Sequence, residues 1–154
     1  MLEEGDPVPD VMVQSMDGSM VRLAEAVRCP MVVYFYPKDD TPGCTSEAKD
    51  FTALAADFAT AGVSIVGISK DTPKRHQNFS AKYAIAYPLV TDPDGSVCEA
   101  FGTWVEKSLY GRQYMGIDRS TFLFDAEGCA AQIWRKVKVK GHAEAVLAAT
   151  RSLK

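Results

Sequence analysis

The chain is poor in histidine: His76 and His142 are the only two among 154 residues, and they lie far apart. A metal site built on imidazoles is therefore not expected. The four cysteines include no Cys-x-x-Cys pair, which leaves out a zinc knuckle and a vicinal redox dithiol. No apolar run comes near the roughly 20 residues that span a bilayer. The opening Met1-Leu2-Glu3-Glu4-Gly5-Asp6-Pro7 is acidic and has neither the basic nor the apolar region of a signal peptide. A cytoplasmic, reducing setting with free thiols and no membrane contact is the expectation. Basic excess is also missing, with 17 Lys and Arg against 20 Asp and Glu. That balance argues against a nucleic-acid partner, which needs a basic face. The densest basic stretch, Arg135 to Lys140, alternates like a strand with one solvated side.

What is present reads as one domain, 1–154, in which strands alternate with helices. Residues 11–14 and 20–23 flank Asp17-Gly18 as a short hairpin, and the unbroken apolar run 31–36 reads as a buried central strand. A helix is expected over 44–60, with Cys44, Ala48, Phe51, Ala55 and Phe58 on one stripe and Gly62 behind it. A strand over 63–68 follows, and Thr72-Pro73 opens a helix that runs to about residue 83. Further strands are expected at 87–91, 120–125 and 131–139, with a short helix at 96–101 and a last helix at 142–152. The stretch before Arg119 reads as a long connection, in which Trp104 and Tyr110 either pack or rim an apolar entrance. The result is an α/β fold with a mixed central sheet.

Chemistry concentrates in Pro37-Lys38-Asp39-Asp40-Thr41-Pro42-Gly43-Cys44, between the central strand and the first long helix. A thiol at a helix start meets free backbone N–H groups and the positive end of the helix dipole, both of which favour the nucleophilic thiolate. Thr41 supplies a hydroxyl that can donate to or accept from a group beside the sulfur, and Glu47 can hold a cation near it. The bland alternative is a small buried hydrophobe, the commoner fate of a lone cysteine.

The run Tyr34-Phe35-Tyr36-Pro37-Lys38-Asp39-Asp40-Thr41-Pro42-Gly43-Cys44-Thr45-Ser46-Glu47-Ala48 resembles the active-site segment of peroxiredoxins. The resemblance is to the branch that includes the bacterioferritin comigratory protein and PrxQ. Blocks at Val66–Ser69, His76–Phe79, Tyr87–Asp92 and Gly116–Phe122 recur in family order. The resemblance implies a thioredoxin-like fold with an N-terminal hairpin and a monomer that needs no cofactor. Its substrates would be hydrogen peroxide and organic hydroperoxides. By the same resemblance, Cys44 is the peroxidatic nucleophile, Thr41 hydrogen-bonds the peroxide, and Pro37 shields the thiolate. Arg119 lies against the sulfur and Glu47 orients Arg119.

The chain departs from many relatives in lacking a second, resolving cysteine at either usual position, which here hold Lys49 and Ser80. A one-Cys cycle is expected, with thioredoxin, glutaredoxin or a small thiol as external reductant. Among Cys29, Cys98 and Cys129, Cys98 is the alternative resolver. A different class of reading is a peroxide sensor or holdase with little turnover.

Overall fold

The computed structural model describes residues 1–153. After the hairpin β1 (Met12–Gln14) and β2 (Met20–Arg22) comes a short helix, α1 (Leu23–Ala26), then β3 (Met31–Phe35). The chain continues through α2 (Pro42–Ala53), α3 (Ala55–Thr60), β4 (Ser64–Ser69), α4 (Pro73–Tyr83), β5 (Leu89–Thr91) and α5 (Ser96–Phe101). It ends with β6 (Trp104–Leu109), β7 (Arg112–Ile117), β8 (Ser120–Phe124), β9 (Ala130–Trp134) and α6 (His142–Arg151). Seven strands form one sheet in the order β2-β1-β5-β4-β3-β8-β9, while β6 and β7 pair apart from it. β3 is parallel to β4 and antiparallel to β8, so the sheet is mixed, as the alternating pattern predicts.

Strand parity divides the core. Val32, Tyr34 and Tyr36 turn to one face, with Cys44, Ala48 and Phe51 of α2, Phe79 of α4, and Val146 and Leu147 of α6. Met31, Val33 and Phe35 turn to the other, against Val97, Cys98 and Phe101 of α5 and Phe122 and Phe124 of β8. Every residue of β3 is buried, because both faces are covered; this is why the run carries no alternation.

Three expectations need correction. The helix expected over 44–60 is two, broken at Leu54, whose N–H reaches the carbonyls of Asp50 and Phe51 at 3.3 and 3.2 Å. No glycine or proline marks the break; it re-aims α3 so that Phe58 and Phe51 are both fully buried. The last strand stops at Trp134 rather than 139. Lys136 has a positive φ of 51°, and Arg135 turns in to donate to the carbonyls of Leu2, Phe101 and Gly102. Finally, the long connection is a hairpin of two six-residue strands, β6–β7, turned by Tyr110-Gly111 with φ of 51° and 76°. Two positive φ values are the signature of a type I′ turn, but Tyr-Gly is not the dipeptide that announces one.

Candidate active site

The C-terminal end of β3 hands the chain to α2 through Pro37–Thr41, with Asp40 at a positive φ of 61°. Pro42 occupies the first helical turn, where its missing N–H costs nothing. Thr41 is the N-cap, yet its side chain does not cap the helix, and no acidic residue sits in the first turn. The N–H groups there stay directed at whatever lies beyond the helix end. Cys44, two residues after Pro42 and 2% exposed, lies in that field.

Arg119 stands in the corner between β7 and β8, and the antiparallel pairing of β8 with β3 brings it to α2. Its Nη2 donates to Cys44 Sγ at 3.3 Å and its Nη1 to Glu47 Oε1 at 2.7 Å. The backbone of Arg119 is held in turn by Val137, whose N–H donates to its carbonyl at 2.9 Å. Gly43 makes the approach possible, since a Cβ there would stand 3.2 Å from Nη2. Burial draws the guanidinium down, but Glu47 and Cys44 outweigh it and hold the charge more firmly than in water. Burial pushes Glu47 up to about 7 against the opposing pull of Arg119, and its Oε2 has no hydrogen-bond partner among the described residues. The set is thus a cation shared between a sulfur and a carboxyl group that is reluctant to ionise.

The other two expected residues sit at the rim. Pro37 is exposed and helps line a 330 Å³ cleft with Lys38, Trp104, Lys107, Tyr114 and Ile117. Thr41 is half-buried, and its hydroxyl donates to the Lys38 carbonyl at 2.9 Å, so its free lone pairs make it an acceptor. Trp104 faces the cleft as one of its two readings has it, but Tyr110 stands 95% exposed at the hairpin turn. A larger concavity of 410 Å³, lined by Ala55, Ala59, Val63, Ile65 and Tyr87, lies at the start of β4 and holds none of these residues.

Lys107 was not foreseen. Burial and Arg119 draw its ammonium down, while Asp118 and Cys44 pull the other way, so it belongs to the same electrostatic neighbourhood. The strand that carries it is hard to read because β7, its partner, is exposed over most of its length and shows no apolar alternation. The remaining thiols are elsewhere. Cys98 is fully buried on the opposite face of the sheet from Cys44, and burial, with Asp92 beside it, pushes it up to about 12. Cys29 and Cys129 are half-buried before the starts of β3 and β9; burial, Asp125 and Cys129 push Cys29 up.

The profile of the AhpC/TSA family matches residues 4–133. The chain belongs to the AhpC/TSA family. Within it, the similarity is to peroxiredoxins of the Bcp/PrxQ type. The chain is 56% identical over 122 residues to peroxiredoxin Bcp of Xanthomonas campestris pv. campestris, covering 79% of this chain and 76% of that one. It is 38% identical to peroxiredoxin Bcp of Escherichia coli K12 over 146 residues, 95% of this chain and 94% of that one. The solved structure of the Xanthomonas campestris bacterioferritin comigratory protein, described with its alkyl peroxide reduction activity, superposes with a TM-score of 0.88 at 48% identity. That match covers 99% of this chain and 97% of the other. BcpB from Mycobacterium tuberculosis superposes at 0.86 with 33% identity, covering 100% and 99%. The fold is accordingly the thioredoxin-like fold of peroxiredoxins, and the chain is a thiol peroxidase.

Proposed function

We propose that this peroxiredoxin reduces hydrogen peroxide and organic hydroperoxides by a one-Cys cycle, with Cys44 as nucleophile and an external thiol as reductant. One observation carries the reading: Arg119 bonds Cys44 Sγ at 3.3 Å at the head of α2, while the sheet separates Cys44 from Cys98. The Cys44 thiolate attacks one peroxide oxygen, forming an S–O bond as the O–O bond breaks. The electron pair of that bond leaves on the second oxygen, which takes a proton to become water or an alcohol. Cys44 is left as a sulfenic acid.

Arg119 and the first-turn N–H groups of α2 are placed to stabilise the charge as it moves from sulfur to oxygen. Thr41, its own hydrogen directed at Lys38, accepts from the hydroperoxide O–H and so orients the oxygen to be attacked. Pro37 and Lys107 border the cleft through which substrate enters. Glu47 keeps the second arm of Arg119 occupied. One thiol then displaces hydroxide from the sulfenic acid, which leaves as water, and a second thiol releases Cys44 and a disulfide. Ser80 and Lys49, where relatives carry a resolver, support the need for such a donor, whether thioredoxin, glutaredoxin or a small thiol. We place this cycle in a cytoplasmic monomer.

Intact mass after one equivalent of peroxide, with a dimedone trap and peptide mapping, tests it. A dimedone adduct on Cys44 is expected. Loss of two hydrogens with Cys44 joined to Cys98, Cys29 or Cys129 would replace the one-Cys cycle, and an unmodified Cys44 would remove the nucleophile.

A further inference from the structure

Behind the Pro37–Thr41 segment lies a buried polar cluster that the chemistry above does not use. Asp39 is 3% exposed, and His76, in the second turn of α4, is completely buried. His76 Nδ1 faces Asp39 Oδ2 at 2.7 Å, and Nε2 faces the Val90 carbonyl at 3.1 Å. A carbonyl only accepts, so Nε2 carries a hydrogen, and a second proton must lie on the line between Nδ1 and Oδ2. The hydroxyl of Tyr36, the last residue before the segment, donates to Asp39 Oδ1 at 2.6 Å. The Asp39 N–H donates to Asp71 Oδ2 at 2.8 Å, and Asp71 is fixed by the Ser69 hydroxyl and Arg75. The next residue, Asp40, accepts from Lys82 Nζ at 2.9 Å and from the Tyr83 hydroxyl at 2.8 Å in the last turn of α4. Two consecutive aspartates therefore tie one loop to two places on one helix.

A buried pair of this kind adds little net stability over well-packed apolar side chains. What it does supply is a fixed geometry, since both ring nitrogens of His76 and both carboxyl oxygens of Asp39 have partners, with the Tyr36 hydroxyl also 3.3 Å from Nδ1. Thr41 comes two residues after Asp39, with its hydroxyl held by Lys38 of the same loop, and Cys44 lies in the first turn of the helix that follows. We propose that Asp39 and His76 are a positioning pair for the peroxide reaction. They anchor the Pro37–Thr41 segment to α4, so that the Thr41 oxygen stays aligned and Cys44 stays in the Arg119 pocket both as thiolate and as sulfenic acid. The proposal rests on the peroxidase reading and adds residues that touch neither sulfur nor substrate.

The test compares Asp39→Asn, which keeps the shape, with His76→Leu, which loses both donors, and His76→Asn, whose amide can replace Nδ1 as the donor to Asp39. Two rates are read below the unfolding midpoint of each variant: oxidation of Cys44 by hydrogen peroxide, and labelling of Cys44 by a bulky maleimide. Asp39→Asn and His76→Leu are expected to slow oxidation by about tenfold or more, since misplacement of about 1 Å can cost more than that. Both should also label faster, because Cys44 is 2% exposed only while the loop is held. His76→Asn is expected to keep most of the oxidation rate. Should His76→Leu fail to fold, Asp39→Asn decides alone. Folded variants with unchanged oxidation and labelling would overturn the proposal, as would a His76→Asn as slow as Asp39→Asn. A wild-type Cys44 inert to peroxide would instead overturn the peroxidase reading and take this proposal with it.

Discussion

At the scale of single residues, the site turns on one guanidinium serving two partners. Arg119 spans Cys44 and Glu47 with two different nitrogens, a fork that an ammonium cannot reproduce. Arg119→Lys and Arg119→Met are both expected to lower the rate constant for peroxide by about 10²–10³, the usual cost of losing a preorganised donor. Stopped-flow oxidation of Cys44 measures this, and a lysine variant within a few-fold of wild type would count against the shared-fork role. Gly43 is the quieter requirement. An added Cβ 3.2 Å from Nη2 forces the guanidinium back by a few tenths of an ångström. Gly43→Ala should therefore slow the same reaction without unfolding the protein, because residue 43 has ordinary helical geometry.

At the scale of elements, close packing of β3, β4 and β5 sets the platform on which α2 stands. Gly67 sits mid-strand in β4, and a Cβ there would meet Leu89 Cδ2 at 2.9 Å and the Tyr34 ring at 3.0 Å. Both neighbours are fully buried, so neither can swing away. Gly67→Ala is expected to destabilise by about 1–3 kcal/mol through overpacking, seen as a lower urea midpoint. Much of this element pattern is legible from contiguous residues. The buried run of β3, the Thr72 cap with Pro73, and the buried face of α6 at Ala143, Val146, Leu147 and Thr150 are all local signals. The hairpin β6–β7 is not, because Leu109, Tyr110, Tyr114 and Met115 are exposed apolar residues that break the usual correspondence between apolar and inside.

Across the whole molecule, two buried titratable groups act on stability in opposite directions. Burial lifts Glu47 from 4.5 to about 7, so the folded state holds that proton more tightly. Its contribution is full below 4.5 and is lost as pH rises toward 7. Burial, helped by Arg119, lowers His142 from 6.5 to about 4, so its contribution is full above 6.5 and is lost as pH falls toward 4. Thermal midpoints against pH should separate the two. Glu47→Gln is expected to show stability rising with pH from about 4 to 6.5, and His142→Asn to show it falling from about 4.5 to 7. Identical profiles in both variants would contradict these assignments. The position of the thiols gives a further expectation: Cys98→Ser should leave recycling of Cys44 intact, measured as steady-state turnover with a thiol donor, because the sheet lies between them.

Most of the alternation of strands and helices, and the place of Cys44 near the start of a helix, follow from the sequence by itself. Both depend only on neighbours within a few turns of chain, whereas the empty resolving positions at Lys49 and Ser80 are read from the resemblance to a family. The meeting of Arg119 with Cys44, 75 positions away, depends on β8 lying antiparallel beside β3, and no local pattern specifies that. The same holds for the pairing of Asp39 with His76 and for the side of the sheet to which Cys98 is confined. Periodicity encodes which residues turn inward, whereas which inward residues touch is decided only when distant segments close on one another.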